Sequence, residues 1–190
     1  VFGYDPKKWY TGRSPLEAVS MGIELSDTDV AYRCNFVTLS EAPSMEDAVM
    51  EDYSAGEITT EEARELVDFL NVRFHTARTH LFPGITYRHC LVHYDAETGA
   101  VLTPPHDISG QPVREYLPQG QYSGLLRAMM EYSYEVLRSH PVNVRRAAEG
   151  RAPATAVWLW GEGRKPSLPS FEELYGVRGS VISAVDLVQG

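Results

Sequence analysis

HPVNVRRAAEGRAPATAVWLWGEG, residues 140–163, changes character repeatedly within one short stretch. Pro141 disfavours helical geometry in the residue before it, so an upstream helix must stop at Ser139-His140. Asn143 can then cap a short basic helix, Val144 to Glu149, which Gly150 terminates. An anion at that helix start would meet free backbone N–H groups together with Arg146. Adjacent helical residues diverge by about 100°, so Arg146 and Arg145 cannot both face one cleft. The β-branched and aromatic run Thr155 to Trp160 reads as a buried strand, and Gly161-Glu-Gly163 behind it as a hinge. The same residue types equally serve as a plain helix cap and a core-filling strand.

Working outward, the helix that Pro141 stops begins at Tyr122, and Leu125, Leu126, Met129, Met130, Ser133, Val136 and Leu137 give it an apolar face. Its methionines belong to the core. Leu102 to Gln121 is a long polar loop containing TPPHDISGQP, in which His106 could donate to a phosphate or carboxylate and Asp107 could accept hydroxyl donors or start an Asx turn. Ile85 to Tyr94 is a strand opened by Pro83-Gly84, with Arg88 and His89 on opposite faces. Thr59-Thr-Glu-Glu62 is a capping box for a helix running to about Val72. Glu41 to Gly56 is turn-rich and reads as a loop. Asp29 to Leu39 alternates so that Arg33 and Asn35 share one face, where a cation and an amide could grip a carboxylate, and Tyr32, Cys34 and Phe36 share the other. Ser14-Pro-Leu-Glu17 opens the first helix, which ends near Gly22. Downstream, Ser170-Phe-Glu-Glu173 is a third capping box and Val181 to Val188 a last strand. Helices alternating with about four or more strands give an α/β (α+β) domain, a mixed sheet packed with helices.

The 190 residues suffice for one domain, and 43% hydrophobic with 23% charged residues excludes a wholly disordered chain. A net charge of −9 argues against nucleic acid as a partner. The charge is segregated, however: Glu17 to Asp68 is acidic with only Arg33 and Arg64 basic, whereas Arg138 to Lys165 is basic, so a small anion could be held locally. Two cysteines, Cys34 and Cys90, form neither a disulfide framework nor a metal-ligand spacing, and a reducing cytoplasm is expected. No apolar run approaches the roughly 18 residues that span a bilayer, so no membrane partner is expected. The chain opens Val-Phe-Gly-Tyr-Asp-Pro without a methionine and reads as an excised piece.

The segments GYDPKKWYTGRSPLEA, DVAYRCNFVTL, DYSAGEITTEEAREL, YRHCLV, PPHDISGQPV, HPVNVRR, WLWGEGRKPSLPSFEELYG and GSVISAVDLV, in this order, resemble the archaeal-type cofactor-independent phosphoglycerate mutases across essentially the whole chain. That family is similar to the alkaline phosphatase superfamily, and its members carry a second domain inserted into a two-metal core. The resemblance implies that residues 1–190 are the inserted substrate domain, with 1–13 and 161–190 as hinge and return segments and Gly161 and Gly163 as hinge glycines. It implies a nucleophilic serine and two divalent ions, manganese or magnesium, in a core domain outside this stretch, and no metal or cofactor within it. The serine would take the phosphoryl group of 3-phosphoglycerate and return it to the 2-hydroxyl, a glycolytic isomerisation. Arg33, Asn35, Arg88, His106, Asp107, Asn143, Arg146 and Arg164 are residue types fitted to hold the glycerate meanwhile. The family's HPVN pattern, followed by two residues and Arg, falls on Arg146. A homoserine kinase-like phosphotransferase of the same family and a non-catalytic α/β binding module are the alternatives.

Overall fold

A computed structural model describes residues 12–166 and 171–177. In chain order these form α1 (Ser14–Ser20), β1 (Val30–Leu39), β2 (Met50–Asp52), α2 (Thr60–Phe74), β3 (Thr79–Phe82), β4 (Arg88–His93), β5 (Ala100–Val101), β6 (Gln119–Gly120), α3 (Ser123–Leu137), α4 (Pro141–Ala148), β7 (Ala156–Arg164) and α5 (Phe171–Tyr175). Residues 3–11 of the expected entry loop, the Ser170 cap and the strand Val181 to Val188 lie outside the described residues.

β1 is the centre of the molecule, and all ten of its residues are buried. It pairs antiparallel with β4 and with β7 over most of its length and with β2 at its C-terminal end, while β3 closes the sheet beyond β4. Such a strand has no solvent side for either row of side chains. Tyr32, Cys34 and Phe36 face a core built with Leu66 and Leu70 of α2 and Leu126, Met129 and Met130 of α3. Ala31, Cys90 and Val92 meet Ala18 of α1 in a smaller cluster on the opposite face. The short α1 covers only part of that second face, and Arg33 and Asn35 lie beyond the apolar cluster on the same row as Ala31.

Several boundaries differ from the sequence reading, each for a local reason. Residues 85–87 belong to a tight turn, with Arg88 N–H donating to the Ile85 carbonyl (3.1 Å) and Thr86 at φ 54°, so the strand starts at Arg88 and a separate strand, β3, precedes Pro83. The acidic loop contains β2, and the long polar loop is stitched to it: Met50 N–H donates to the Gln111 carbonyl (3.0 Å) and Gly110 N–H to that of Met50 (2.7 Å). Ile108, Val113 and Leu117 anchor that loop in the core. Ser14 is the first residue of α1 and not its cap; its hydroxyl donates to the Gly161 carbonyl. Thr59 does cap α2, accepting from Glu62 N–H at 3.2 Å.

The cap of α4 is His140, whose Nδ1 accepts from Val142 N–H (3.3 Å). Asn143 sits inside the helix, 1% exposed. Its Nδ2 donates to the carbonyls of Leu137 (2.7 Å) and Ala154 (2.8 Å), and its Oδ1 accepts from Ala154 N–H (2.8 Å). It ties the end of α3, the body of α4 and the approach to β7 together, which a capping side chain could not do. β7 runs straight through the expected hinge: Gly163 pairs with Ala31, and Gly161 and Glu162 form a bulge opposite Tyr32, with Gly161 at φ 68°.

Candidate functional site

Antiparallel register places Asn35 opposite Arg88 on β4 and opposite Trp158 on β7, and Arg33 opposite Cys90 and Trp160. These side chains therefore share the partly covered face of the sheet. The Arg33 guanidinium donates from Nε to Glu17 Oε2 of α1 (2.8 Å) and lies 4.3 Å over the Trp160 ring. Burial pulls its pKa below the ordinary arginine value, Glu17 opposes that shift, and the charges of Arg13 and Arg88 add to it. Arg13 also grips Glu17, at 2.9 Å, so that carboxylate is shared by two cations.

Asn35 organises the middle of this face. Its Oδ1 accepts from Trp160 Nε1 (3.0 Å) and its Nδ2 donates to the Tyr53 carbonyl (3.1 Å). The rings follow in sequence, His106 edge-on to Trp160 (5.3 Å) and to Tyr53 (6.2 Å), and Tyr53 edge-on to Tyr87 (6.1 Å). His106 projects from the 3-10 turn Pro105–Ile108, with Nε2 3.6 Å from Asp107 Oδ1, and both side chains are exposed. The result is a cradle with an aromatic wall, an amide floor and a cationic side. Beside it a cleft of about 300 Å³ is lined by Glu17, Thr60, Arg64, Gly84, Arg88 and His89, among others. Arg13 and Arg33 both pair with the Glu17 carboxylate, and Arg64 and Arg88 line the adjoining cleft.

Of the residues expected to contact substrate, Arg33, Asn35, Arg88, His106 and Asp107 are brought together here, while Asn143, Arg146 and Arg164 are not. Arg146 is 1% exposed. Its Nε donates to the Ala152 carbonyl (2.9 Å), Nη1 to Glu62 Oε2 (2.6 Å) and Nη2 to the Ala55 carbonyl (2.8 Å). Arg164 is at the other end of β7, opposite Val30, donating to the Ala96 carbonyl and pairing with Glu97 (3.0 Å). Arg145 is exposed while Arg146 is buried, so the two arginines do diverge, but the inward one meets protein. His89 faces away from Arg88 and packs edge-on to Phe36 at 4.8 Å; burial pulls its pKa down to about 3, and it is neutral in ordinary buffers.

The segregated charges find one another. Arg114 pairs with Glu46 and Asp47 (2.6 Å each), Arg127 with Glu46, Arg138 with Glu41 (2.7 Å), and Arg146 and Arg151 with Glu62. Three arginines of the basic stretch, Arg138, Arg146 and Arg151, thus brace the acidic one instead of facing an anion, while Arg145 is exposed. The residues that sequence reading missed are Glu17, Tyr53, Arg64 and Trp160. Only Trp160 carried a signal, its alternation with Leu159 along a strand. Among the described residues no three His, Cys, Asp or Glu side chains are grouped to hold a metal ion. No described helix is long and apolar enough to cross a membrane.

The fold and this face define an α/β domain with an aromatic-walled cradle and an adjoining arginine-lined cleft beside its central strand. A family model for 2,3-bisphosphoglycerate-independent phosphoglycerate mutase matches residues 1–143, and the chain belongs to that family. A probable phosphoglycerate mutase of this kind from Geobacter sulfurreducens is 50% identical over 190 residues, covering 100% of this chain and 47% of the relative. One from Methanothrix thermoacetophila is 47% identical, with 46% of its length covered. The solved cofactor-independent phosphoglycerate mutase of Thermoplasma acidophilum matches with a TM-score of 0.67 at 26% identity, covering 100% of this chain and 51% of that one. A solved Pyrococcus horikoshii protein matches with a TM-score of 0.69 at 30% identity, covering 99% of this chain and 42% of that one. The chain spans about half the length of the curated relatives it matches.

Proposed function

We propose that this chain is the substrate-holding domain of a cofactor-independent phosphoglycerate mutase, whose nucleophilic serine and two divalent metal ions belong to a core domain of the same protein. The observation that carries the reading is the meeting of Arg33, Asn35, Arg88 and His106 on one sheet face, beside a cleft that Arg64 and Arg88 line. In this reading Arg33 and Arg88 hold the carboxylate of the glycerate by charge-assisted hydrogen bonds, and His106 reaches a hydroxyl or phosphate oxygen. The glycerate keeps these contacts while its phosphoryl group leaves O3 for the serine oxygen, and again while the serine–phosphorus bond breaks in favour of O2.

The hinge reading is supported by contacts at the domain's base. Gly12 lies so close to the Glu162 carbonyl that an added Cβ would stand 2.6 Å from it, and Ser14 holds the Gly161 carbonyl. The start of the described chain thus lies against the end of β7, an arrangement compatible with an inserted domain. Turnover of 3-phosphoglycerate to 2-phosphoglycerate by the full-length protein tests the reading, with homoserine and ATP as the competing substrates. Phosphorylation of homoserine without mutase activity would move the protein to the alternative branch.

A further inference from the structure

Ala55, Gly56 and Glu57 have φ values of 49°, 60° and 48°, three left-handed residues in succession. Alanine and glutamate avoid that region because Cβ there meets a carbonyl oxygen, so Ala55 and Glu57, on either side of the permissive Gly56, stay there only where their surroundings hold them. Two groups do so. From within, Asp52 Oδ1 accepts from Ser54 N–H (2.8 Å) and Ser54 Oγ–H (2.7 Å), and Oδ2 from Gly56 N–H (2.6 Å). From outside, Arg146 Nη2 donates to the Ala55 carbonyl while Nη1 and Nε are fixed by Glu62 and Ala152. The turn lies directly on this guanidinium: a Cβ on Gly56 would stand 3.3 Å from Nη2 and 3.0 Å from the Ala152 Cβ.

Two residues before Ala55 the same loop delivers Tyr53 to the cradle, its carbonyl on Asn35 and its ring against His106 and Tyr87. We propose that Arg146 is a positioning residue for the cradle: it never meets the ligand, but by clamping the left-handed turn 55–57 it sets Tyr53, and through Tyr53 the placement of His106 and Asn35. Asn143, on the same helix and as deeply buried, spends its side-chain hydrogen bonds on Leu137 and Ala154, so it braces the fold without holding the turn. A lysine at position 146 could keep one of the three contacts, not all of them.

The kinetic arm of this proposal rests on the mutase reading; the spectroscopic arm does not. Full-length protein carrying 3-fluorotyrosine at position 53 is compared as parent, Arg146→Lys, Asp52→Asn and Asn143→Ala. The first two variants loosen the turn from opposite sides and are expected to shift or broaden the fluorine resonance alike. They should also raise KM for 3-phosphoglycerate about tenfold or more, with a smaller change in kcat. Asn143→Ala is expected to lower the urea midpoint while leaving the resonance in place. A resonance and KM in Arg146→Lys that coincide with the parent, or an equal displacement in Asn143→Ala, overturns the proposal. If Arg146→Lys fails to fold, Asp52→Asn decides the question in the same way. A displaced resonance in a parent protein without mutase activity keeps the positioning role and rejects the mutase reading.

Discussion

Arg33 keeps its charge although it lies between a carboxylate and an indole face, because Glu17 and the Trp160 ring replace the water it gives up. Losing such a charged partner to a substrate oxygen costs about 1.5 to 3 kcal/mol, roughly 10- to 150-fold in affinity. Arg33→Ala in the full-length protein should therefore lower kcat/KM for 3-phosphoglycerate about tenfold or more, whereas the exposed Arg145→Ala should change it little. Equal kinetics for the two variants would place the ligand elsewhere. His89 makes a pH prediction at the same scale. Its pKa falls from an ordinary 6.5 to about 3 on folding because burial disfavours the imidazolium. The unfolded chain thus binds the proton more tightly, so this contribution is complete above pH 6.5 and is lost as pH falls from there toward 3. Burial lowers His80, His93 and His140 in the same direction. Urea midpoints measured from pH 7 to 4.5 should decline, and His89→Gln should flatten that decline more than His140→Gln does.

Buried and exposed ion pairs divide the work between elements. Glu62 of α2 is shared by Arg146 of α4 and Arg151 of the following loop; burial opposes its ionisation, but hydrogen bonds from Arg151 and Arg146 prevail and hold its pKa below the ordinary carboxylate value. Removing one partner of a buried pair strands the other, at a cost of about 3 to 5 kcal/mol. Glu62→Ala should accordingly lower the denaturation midpoint sharply, and Glu149→Ala, which leaves Arg151 still paired with Glu62, should barely move it. At the bulge of β7, Gly161 is left-handed and a Cβ there would stand 3.1 Å from Ser14 Oγ. A β-branched residue in that conformation costs about 1 to 3 kcal/mol. Gly161→Val should destabilise this domain on its own, by thermal melting, before any effect on domain swinging is considered; an unchanged melt would show that the bulge can relax.

For the whole molecule, the substrate-facing groups and the metal donors are divided between parts of one protein in the reading proposed above. The purified 190-residue chain should give no turnover of 3-phosphoglycerate with manganese or magnesium, because no cluster of metal-binding side chains is formed among its described residues. Measurable 2-phosphoglycerate formation by the chain alone would defeat the division of labour.

Local order was largely legible in the residues themselves. The alternation from Val30 to Leu39 announced a strand with Arg33 and Asn35 on one row, the Thr59 cap and its apolar spacing announced α2, and Pro141 marked the end of α3. These depend on periodicity and on backbone chemistry within a few residues. What each polar side chain meets depends on which segments the tertiary structure brings together. Arg138, Arg146 and Arg151 read as part of an anion-holding basic stretch, residues 138–165, until the fold set them against Glu41 and Glu62. Asn143 read as a cap until Leu137 and Ala154 closed around it. Glu17 and Tyr53 carried no mark of a shared site, since their proximity to Arg33 and Asn35 is a matter of sheet register and of one helix laid over one end of the sheet. Register and packing are set by the apolar rows of every strand and helix together, so the site is a property of the assembled core and not of any stretch that contributes to it.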